Sequence, residues 1–424
     1  MLVSKSRSFT SLAPIRCSLS AFSAQTACLS TTSSNDVAGP LFDTFGRYHD
    51  YLRISLTEKC NLRCQYCMPE DGIELSAREQ LMTLDERKRL ITMFAKLGIR
   101  KLRFTGGEPT ISNQLAVLVA HARNCGIESV GITSNGIVLR ERLEALVLAG
   151  LTSVNISLDT LVEDKFGSIT RRDKGNLRRV MSSIYSAVGK GLPVKINCVL
   201  MRGFNDMEIA QFVDLTREVP VDCRFIELMP FDGNAWSPEK FVSYMEILDR
   251  LKFEDNLELR REQRLDHDAN DTTKWYRVHS SGGYDYEKGS RTNAAAAATS
   301  TSSTSSSSSG GEVSTLSGTG SGTGSSTSSA YAGRVGFITS MSSHFCGTCN
   351  RLRVTADGQL KVCLFGADGL NILSLMRDGY TDKAIIEQLG QAVKQKKAAL
   401  GGHTTASDIA SHSEQNRPMI LIGG

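Results

Sequence analysis

Apolar and polar residues follow two alternating periods between residues 51 and 229, which predicts strands and helices in turn. Short runs rich in β-branched and aromatic residues predict six strands, at 51–56, 101–105, 129–134, 153–159, 194–201 and 223–229. Apolar residues at helical spacing predict the helices between them, at 83–98, 112–124, 140–149, 175–190 and 206–218. Strands that alternate with helices form parallel sheets. The pattern therefore predicts an α/β fold, an incomplete (βα)6 TIM-type barrel.

Polar chemistry is concentrated where the first two predicted strands end. Cys60, Cys64 and Cys67 come shortly after the first strand, and the sequence GGEP at 106–109 comes directly after the second. In α/β barrels the active site lies at the carboxyl ends of the strands. Both stretches should therefore meet on one rim of the barrel.

Composition sets the limits of what the chain can be. Its 424 residues, 40% of them apolar, are enough for a large core, and the net charge of +4 is too small to suggest a nucleic-acid-binding surface. No apolar run approaches the roughly 20 residues of a membrane-spanning helix, so we expect a soluble protein. The eleven cysteines include two tight groups of three, an arrangement that favours metal binding over disulfides.

Two low-complexity stretches interrupt this pattern and set the domain boundaries. Residues 1–40 are rich in Ser and Thr, carry Lys and Arg, and have no acidic residue before Asp36, as in a mitochondrial transit peptide. Residues 281–330 are mostly Ala, Ser, Thr and Gly, a composition typical of a disordered insert. The expected organisation is a barrel at 41–235, a connecting region at 236–280 and a C-terminal region at 331–424. A matrix location would keep the thiols reduced.

Each cysteine group offers three ligands. Cys60, Cys64 and Cys67 are spaced C-x3-C-x2-C, and a second group, Cys346, Cys349 and Cys363, is spaced C-x2-C-x13-C. A cubane iron–sulfur cluster normally takes four cysteines, so three would leave one iron open to a ligand. Zinc completed by a distant fourth ligand is the alternative for the first group, and a structural zinc knuckle is an equal alternative for the second.

The motifs resemble those of a known family. C-x3-C-x2-C with Tyr66 before the last cysteine, followed by GGEP, is similar to the radical S-adenosylmethionine (SAM) superfamily. The second triplet followed by NRLR, together with LRFTGGEPT, GITSNG, NISLDT, RFIELMP and a terminal GG, resembles the GTP 3′,8-cyclase family of molybdenum cofactor biosynthesis. The resemblance covers roughly residues 41–424, apart from the insert.

This resemblance implies a reaction. A [4Fe–4S] cluster on Cys60, Cys64 and Cys67 would reduce SAM, and the resulting 5′-deoxyadenosyl radical would remove hydrogen from C3′ of GTP. The C3′ radical would attack C8 of guanine and so cyclise the nucleotide, and the final product of the family is (8S)-3′,8-cyclo-7,8-dihydroguanosine 5′-triphosphate. A second [4Fe–4S] cluster on the C-terminal triplet would hold the purine.

The resemblance also assigns roles to single residues. Four residues match SAM contacts of the family: Tyr66, Gly107, Ser157 and Met229. Six match GTP contacts: Arg53, Arg103, Thr133, Lys195, Arg351 and Arg353. The terminal Gly423 and Gly424 match a tail that enters the active site, where Gly424's carboxylate could meet Arg351. Arginine matches phosphate oxygens through two parallel hydrogen bonds, which suits a triphosphate substrate.

Three other functions remain open at this point. A radical SAM enzyme that modifies peptides would carry an auxiliary cluster, but such enzymes usually have more cysteines in a longer C-terminal region. An iron–sulfur carrier would have fully ligated clusters, and a zinc-stabilised binding module would need no SAM motif. The expected partners are an electron donor and the downstream cyclic pyranopterin monophosphate synthase, and the chain could be a homodimer.

Overall fold

A computed structural model describes residues 39–234, 236–255, 257–262, 271–279, 331–367 and 369–423. The predicted transit peptide before residue 39, the predicted insert and Gly424 lie outside these described residues. In the described part, one 11-stranded sheet runs in the order β11-β10-β1-β2-β3-β4-β5-β6-β9-β8-β7. Its strands are Tyr51–Ser55 (β1), Lys101–Thr105 (β2), Ser129–Ser134 (β3), Ser153–Ser157 (β4), Val194–Leu200 (β5), Val221–Glu227 (β6), Glu258–Arg261 (β7), Lys274–His279 (β8), Arg334–Ile338 (β9), Arg351–Val354 (β10) and Leu360–Lys361 (β11).

Helices connect the strands and cover the sheet. They are Leu84–Lys96 (α1), Leu115–Asn124 (α2), Leu139–Leu148 (α3), Glu163–Thr170 (α4), Asn176–Gly189 (α5), Ile209–Glu218 (α6), Tyr244–Asp249 (α7), Ile372–Arg377 (α8), Asp382–Lys394 (α9), Ala406–Ser411 (α10) and Met419–Ile422 (α11). Helix α1 begins as its sequence indicates, since Thr83 caps it and exchanges hydrogen bonds with Glu86. Within the described residues, no helix is long and apolar enough to cross a membrane.

The predicted α/β class with a parallel sheet is confirmed. Strands β1 to β6 pair in sequence order, and every pair is parallel. Most of the predicted boundaries differ from the observed ones by one to three residues. The helix predicted at 206–218 begins as a 3-10 turn, Asp206–Glu208, and continues as α6.

The later part of the chain widens the sheet at both edges. Strand β10 pairs in parallel with β1, and β9 pairs in parallel with β6. Residues 236–280, which we expected to be a connecting region, supply α7, β7 and β8, and the two strands extend the β9 edge in antiparallel pairing. The C-terminal region therefore brackets the six-stranded unit and places its own loops beside the same strand ends.

The helices pack on the outer face of the sheet and form the main core with it. The inner face therefore carries the polar side chains. Strands β5 and β6 alternate buried with partly exposed residues along their whole length. The buried set joins the main core with helix residues such as Phe94, Leu118 and Ile184, none of which exposes any of its surface. The other set, which includes Asn197 and Arg224, faces the inner side and supplies the site described next.

Candidate active site

The two cysteine triplets line two adjoining cavities at the carboxyl ends of the strands. The larger cavity is open to solvent and has a volume of about 1440 Å³, and Cys60, Cys64 and Cys67 line it. A neighbouring cavity of about 560 Å³ is lined by Cys346, Cys349 and Cys363. The two cavities share six lining residues, which are Met229, Ser340, Phe345, Arg351, Arg353 and Leu364. The sequence motifs therefore converge on one connected space.

Backbone hydrogen bonds shape the loop that carries the first triplet. The N–H of Leu62 donates to the Cys60 sulfur at 3.4 Å, and the N–H of Cys67 donates to the carbonyl of Cys64. The N–H groups of Arg63 and Gln65 donate to carbonyls at the end of α4. These contacts hold the three sulfurs toward the cavity.

The glycines of GGEP serve this same loop. A Cβ on Gly107 would lie 2.2 Å from the carbonyl oxygen of Lys59, and one on Gly106, whose φ is +144°, would lie 2.5 Å from that of Thr57. The N–H of Gly107 donates to the Thr57 oxygen at 2.6 Å. Because Gly107 has no side chain, the GGEP motif can pack on the segment that leads to Cys60. Gly107 also lines the cavity.

Glu108 ties the motif to the end of β3. Its carboxylate, 1% exposed, accepts hydrogen bonds from Thr110, from the Ser134 hydroxyl and from the N–H of Asn135. The Asn135 amide donates in turn to Asn61 Oδ1 at 2.7 Å, beside Cys60. Burial raises the pKa of Glu108 against the effect of these donors. The network fixes the cysteine loop relative to the sheet.

Burial keeps the thiols of the first triplet protonated until a metal binds. It raises the pKa values of Cys60 and Cys64, and it raises that of Cys67 to about 12, with neighbouring negative groups adding to the effect. Three clustered thiols therefore stay protonated unless a cation shares their electrons. Three sulfur donors lining one cavity fit an iron–sulfur cluster with an open iron.

The second triplet has a different environment. Cys346 and Cys349 bound a 3-10 turn, and Cys363 follows β11. The N–H of Leu400 donates to the Cys346 sulfur at 3.4 Å, and the ammonium of Lys396 lies 3.4 Å from the Cys349 sulfur. Burial opposes ionisation of Cys349, but Lys396 and Arg351 outweigh it and lower its pKa to about 7. This donor set also fits a soft metal centre.

Cationic side chains converge between the two triplets. Arg53 on β1 is in register with Arg353 on β10, and Arg351 lies two residues earlier on the same strand. Burial lowers the pKa values of Arg351 and Arg353, and Nη2 of the first and Nη1 of the second are buried without a hydrogen-bond partner in the described part of the chain. Unsatisfied buried donors of this kind fit an anionic ligand.

Two of the predicted GTP contacts, Arg103 and Lys195, contact other side chains next to the cavity. Arg103 donates to the Tyr51 hydroxyl and to the carbonyl of Ile132, both at 2.8 Å. The Lys195 ammonium lies 5.2 Å from the centre of the Trp275 ring. Neither side chain is among the described residues that line the cavity, although both strands contribute neighbouring side chains to it.

The predicted SAM contacts all line the larger cavity, as does Thr133. The Tyr66 hydroxyl donates to Asp159 Oδ2 at 2.8 Å, and the N–H of Val199 donates to Asp159 Oδ1. Burial raises the pKa of Asp159 to about 6 despite these bonds. Tyr66, Gly107, Ser157 and Met229 thus surround the space next to the first triplet.

Several polar residues of the site were not predicted from the sequence. Asn155, Asn197 and Arg224 line the larger cavity, and Arg224 donates to Asn197 Oδ1 at 2.9 Å through Nε. Asn155 Oδ1 is buried without a hydrogen-bond partner in the described structure. The available cue was the two-residue period of polar positions in the fourth to sixth strands, which an inward-facing row produces.

The end of the described chain enters the same region. Met419 and Ile420 line the larger cavity, and Gly423 is buried with a φ of +87°. A Cβ on Gly423 would lie 2.7 Å from the Thr105 hydroxyl and 3.0 Å from Ser55 Cβ. Gly424 lies outside the described residues. The tail reaches the carboxyl ends of β1 and β2.

Known proteins share this combination of elements. Residues 54–216 match the radical SAM superfamily, and residues 311–401 match the family described as Molybdenum Cofactor Synthesis C. A protein named "GTP 3′,8-cyclase, mitochondrial" from Arabidopsis thaliana is 42% identical over 92% of this chain and 85% of its own length. The "GTP 3′,8-cyclase" of Alkaliphilus oremlandii is 37% identical over 90% of this chain and 99% of its own.

The chain belongs to the GTP 3′,8-cyclase family. Other relatives are longer: "Molybdenum cofactor biosynthesis protein 1" of Dictyostelium discoideum is 42% identical over 90% of this chain, but the match covers 52% of its own length. This member of the GTP 3′,8-cyclase family thus spans about half of such relatives. Membership of the radical SAM superfamily implies a [4Fe–4S] cluster and SAM.

Proposed function

We propose that the protein is a radical SAM GTP 3′,8-cyclase, which converts GTP to (8S)-3′,8-cyclo-7,8-dihydroguanosine 5′-triphosphate as the first step of molybdenum cofactor biosynthesis. The observation that carries this proposal is the pair of adjoining cavities. The first cysteine group lines the larger cavity, the second group lines its neighbour, and Arg351 and Arg353 lie in the lining common to both. An enzyme in which a SAM-derived radical removes hydrogen from an anionic nucleotide needs both binding sites next to each other.

At the first end of the cavity, Cys60, Cys64 and Cys67 would hold a [4Fe–4S] cluster. Tyr66, Gly107, Ser157 and Met229 would surround SAM beside it. When bound, the reduced cluster and SAM supply the 5′-deoxyadenosyl radical that takes the C3′ hydrogen of GTP. The buried walls of the cavity would keep water away from this reactive species.

At the second end, Cys346, Cys349 and Cys363 would hold another [4Fe–4S] cluster that binds the purine. Arg53, Arg351 and Arg353 would bind the triphosphate, with Arg103, Thr133 and Lys195 as further contacts. A charge-assisted hydrogen bond contributes about 1.5–3 kcal/mol. Three or four such bonds would therefore be enough for the roughly 8 kcal/mol of micromolar binding.

Gly423 and Gly424 would complete the site. The absence of a side chain at Gly423 lets the tail lie against Ser55 and Thr105, and Gly424 would extend toward the arginines. We further propose import into the mitochondrial matrix, an electron donor for the first cluster and transfer of the product to cyclic pyranopterin monophosphate synthase. We also propose that the protein forms a homodimer.

Anaerobic incubation with GTP, SAM and dithionite tests this proposal. Mass analysis should find a nucleotide of unchanged mass but altered retention, together with 5′-deoxyadenosine. A peptide-modifying enzyme would leave GTP intact, and a carrier protein or a zinc module would form no 5′-deoxyadenosine. Intact GTP in the presence of both filled clusters would refute the proposed activity.

Variants in the two triplets separate their roles. Cys64→Ala should abolish cleavage of SAM because the first cluster is lost. Cys349→Ala should abolish cyclisation but leave some uncoupled formation of 5′-deoxyadenosine, because the first cluster remains. Normal cyclisation by Cys349→Ala would contradict the role proposed for the second cluster.

A further inference from the structure

Lys396 is a buried cation in contact with the second triplet. It follows α9, exposes 4% of its surface, and directs Nζ to the Cys349 sulfur at 3.4 Å and to the carbonyl of Arg351 at 3.0 Å. Lysine is rarely this buried, because its ammonium loses strong hydration. The charge of Lys396 therefore needs a compensating negative group nearby.

Sulfur, and not carboxylate, supplies that negative charge. Among the described residues, the ion pairs with Asp or Glu do not include Lys396. The groups whose negative charge would favour the ammonium are the thiolates of Cys349 and Cys363, whereas Arg47 repels it. A cluster held by three thiolates carries net negative charge and would neutralise the ammonium.

The backbone fixes where this ammonium lies. The N–H of Lys396 donates to the carbonyl of Val393, and Val393 and Leu389 of α9 are fully buried in the main core. Arg47 donates to the carbonyl of Cys346 at 2.7 Å and to that of Lys397 at 2.8 Å, which ties the same turn to the triplet loop. Docking of α9 thus determines the contact.

We propose that Lys396 is a positioning residue that sets the electronic state of the second cluster, on which the proposed function rests. Its N–H bond withdraws electron density from the Cys349 sulfur and stabilises the more negative, reduced cluster. Hydrogen bonds to cluster sulfurs and nearby charge are established means by which proteins tune reduction potential. Lys396 therefore raises the reduction potential of the cluster on Cys346, Cys349 and Cys363.

The test measures that potential directly. Full-length protein carrying Cys60→Ala, Cys64→Ala and Cys67→Ala holds only the second cluster, so an anaerobic redox titration followed by electron paramagnetic resonance reports it alone. Adding Lys396→Met, which removes the charge from a side chain of similar length, should shift the potential to a more negative value. Lys394→Met, a change at an exposed lysine at the end of α9, should leave it unchanged.

Lys396→Arg keeps the proposal testable if Lys396→Met does not retain the cluster. Arginine keeps the charge and the donors, so this variant should hold the cluster at a potential near that of the parent. A Lys396→Met potential equal to the parent's would overturn the proposal, and so would loss of the cluster from both variants. Because the parent chain is assayed separately for product, either result leaves the proposed cyclase activity standing.

Discussion

Lys195, one of the proposed GTP contacts, carries a charge that a rise in pH can remove. Burial lowers its pKa to about 8, and the nearby cation of Arg224 adds to the effect. A lysine is cationic below its pKa and neutral above it, so the free enzyme loses one positive charge as pH rises through 8. Because the triphosphate is anionic, its capture should weaken over the same range.

We therefore predict that kcat/KM for GTP falls roughly tenfold between pH 7 and pH 9, since kcat/KM follows ionisation in the free enzyme. Lys195→Arg, which stays charged, should flatten this decline. Both proteins bind the same GTP, so ionisation of guanine affects both profiles equally. Identical pH profiles for the two proteins would show that Lys195 does not control capture.

At the scale of residues, the sequence predicted the sulfur ligands better than the polar lining. The cysteines and glycines lie in short contiguous motifs, so their spacing alone indicates the chemistry. Asn155, Asn197 and Arg224 come from three separate strands and line one cavity only because those strands are neighbours in the sheet, with Asn197 in register with Arg224. Lys396 was also missed, because its contact with Cys349 depends on how α9 packs and not on any local pattern.

At the scale of elements, GGEP supports the cysteine loop in addition to its proposed contact with SAM. We predict that Gly107→Ala displaces the segment before Cys60, because the new Cβ would lie 2.2 Å from the Lys59 oxygen and 2.8 Å from that of Glu58. Overpacking of this kind costs about 1–3 kcal/mol. Iron content and 5′-deoxyadenosine formation should both fall.

Gly189→Ala provides the matched control for that change. A Cβ there would meet nothing within 4 Å, and Gly189 ends helix α5. This variant should keep full iron content and activity, with stability equal to the parent's or slightly higher. If Gly107→Ala behaves like this control, the packing role assigned to Gly107 is wrong.

The elements themselves were predictable to different degrees. Strands of the parallel unit have compact apolar runs, and β2 and β3 have the predicted bounds. Helix α4 was missed because it is short and buries only Phe166, Ile169 and Thr170. Strands β7 and β8 were missed because their place in the sheet depends on pairing with β9, which is distant in sequence.

At the scale of the whole molecule, the two edges of the sheet and the C-terminal tail close around one cavity. Strand β10 brings Arg351 and Arg353 beside β1, and the tail brings Gly423 against Ser55 and Thr105. Each part comes from a different stretch of the chain. The sequence could predict the parts through motifs, but their convergence is a property of the folded topology.

An added residue at the tail tests this convergence. An alanine added after Gly424 should abolish cyclisation, because its side chain would intrude on the proposed nucleotide site. Iron content should remain that of the parent, since neither triplet is altered. The natural tail with full activity serves as the control, and an active extended protein would show that the tail has no part in the reaction.

The central claim is that radical generation and GTP binding occur in two connected cavities, with C3′ of the ribose in reach of the radical. GTP carrying deuterium at C3′, incubated anaerobically with SAM and reductant, tests it most directly. The account predicts that 5′-deoxyadenosine gains one deuterium as the nucleotide is cyclised. Formation of 5′-deoxyadenosine without deuterium, while the nucleotide keeps its label, would contradict the account.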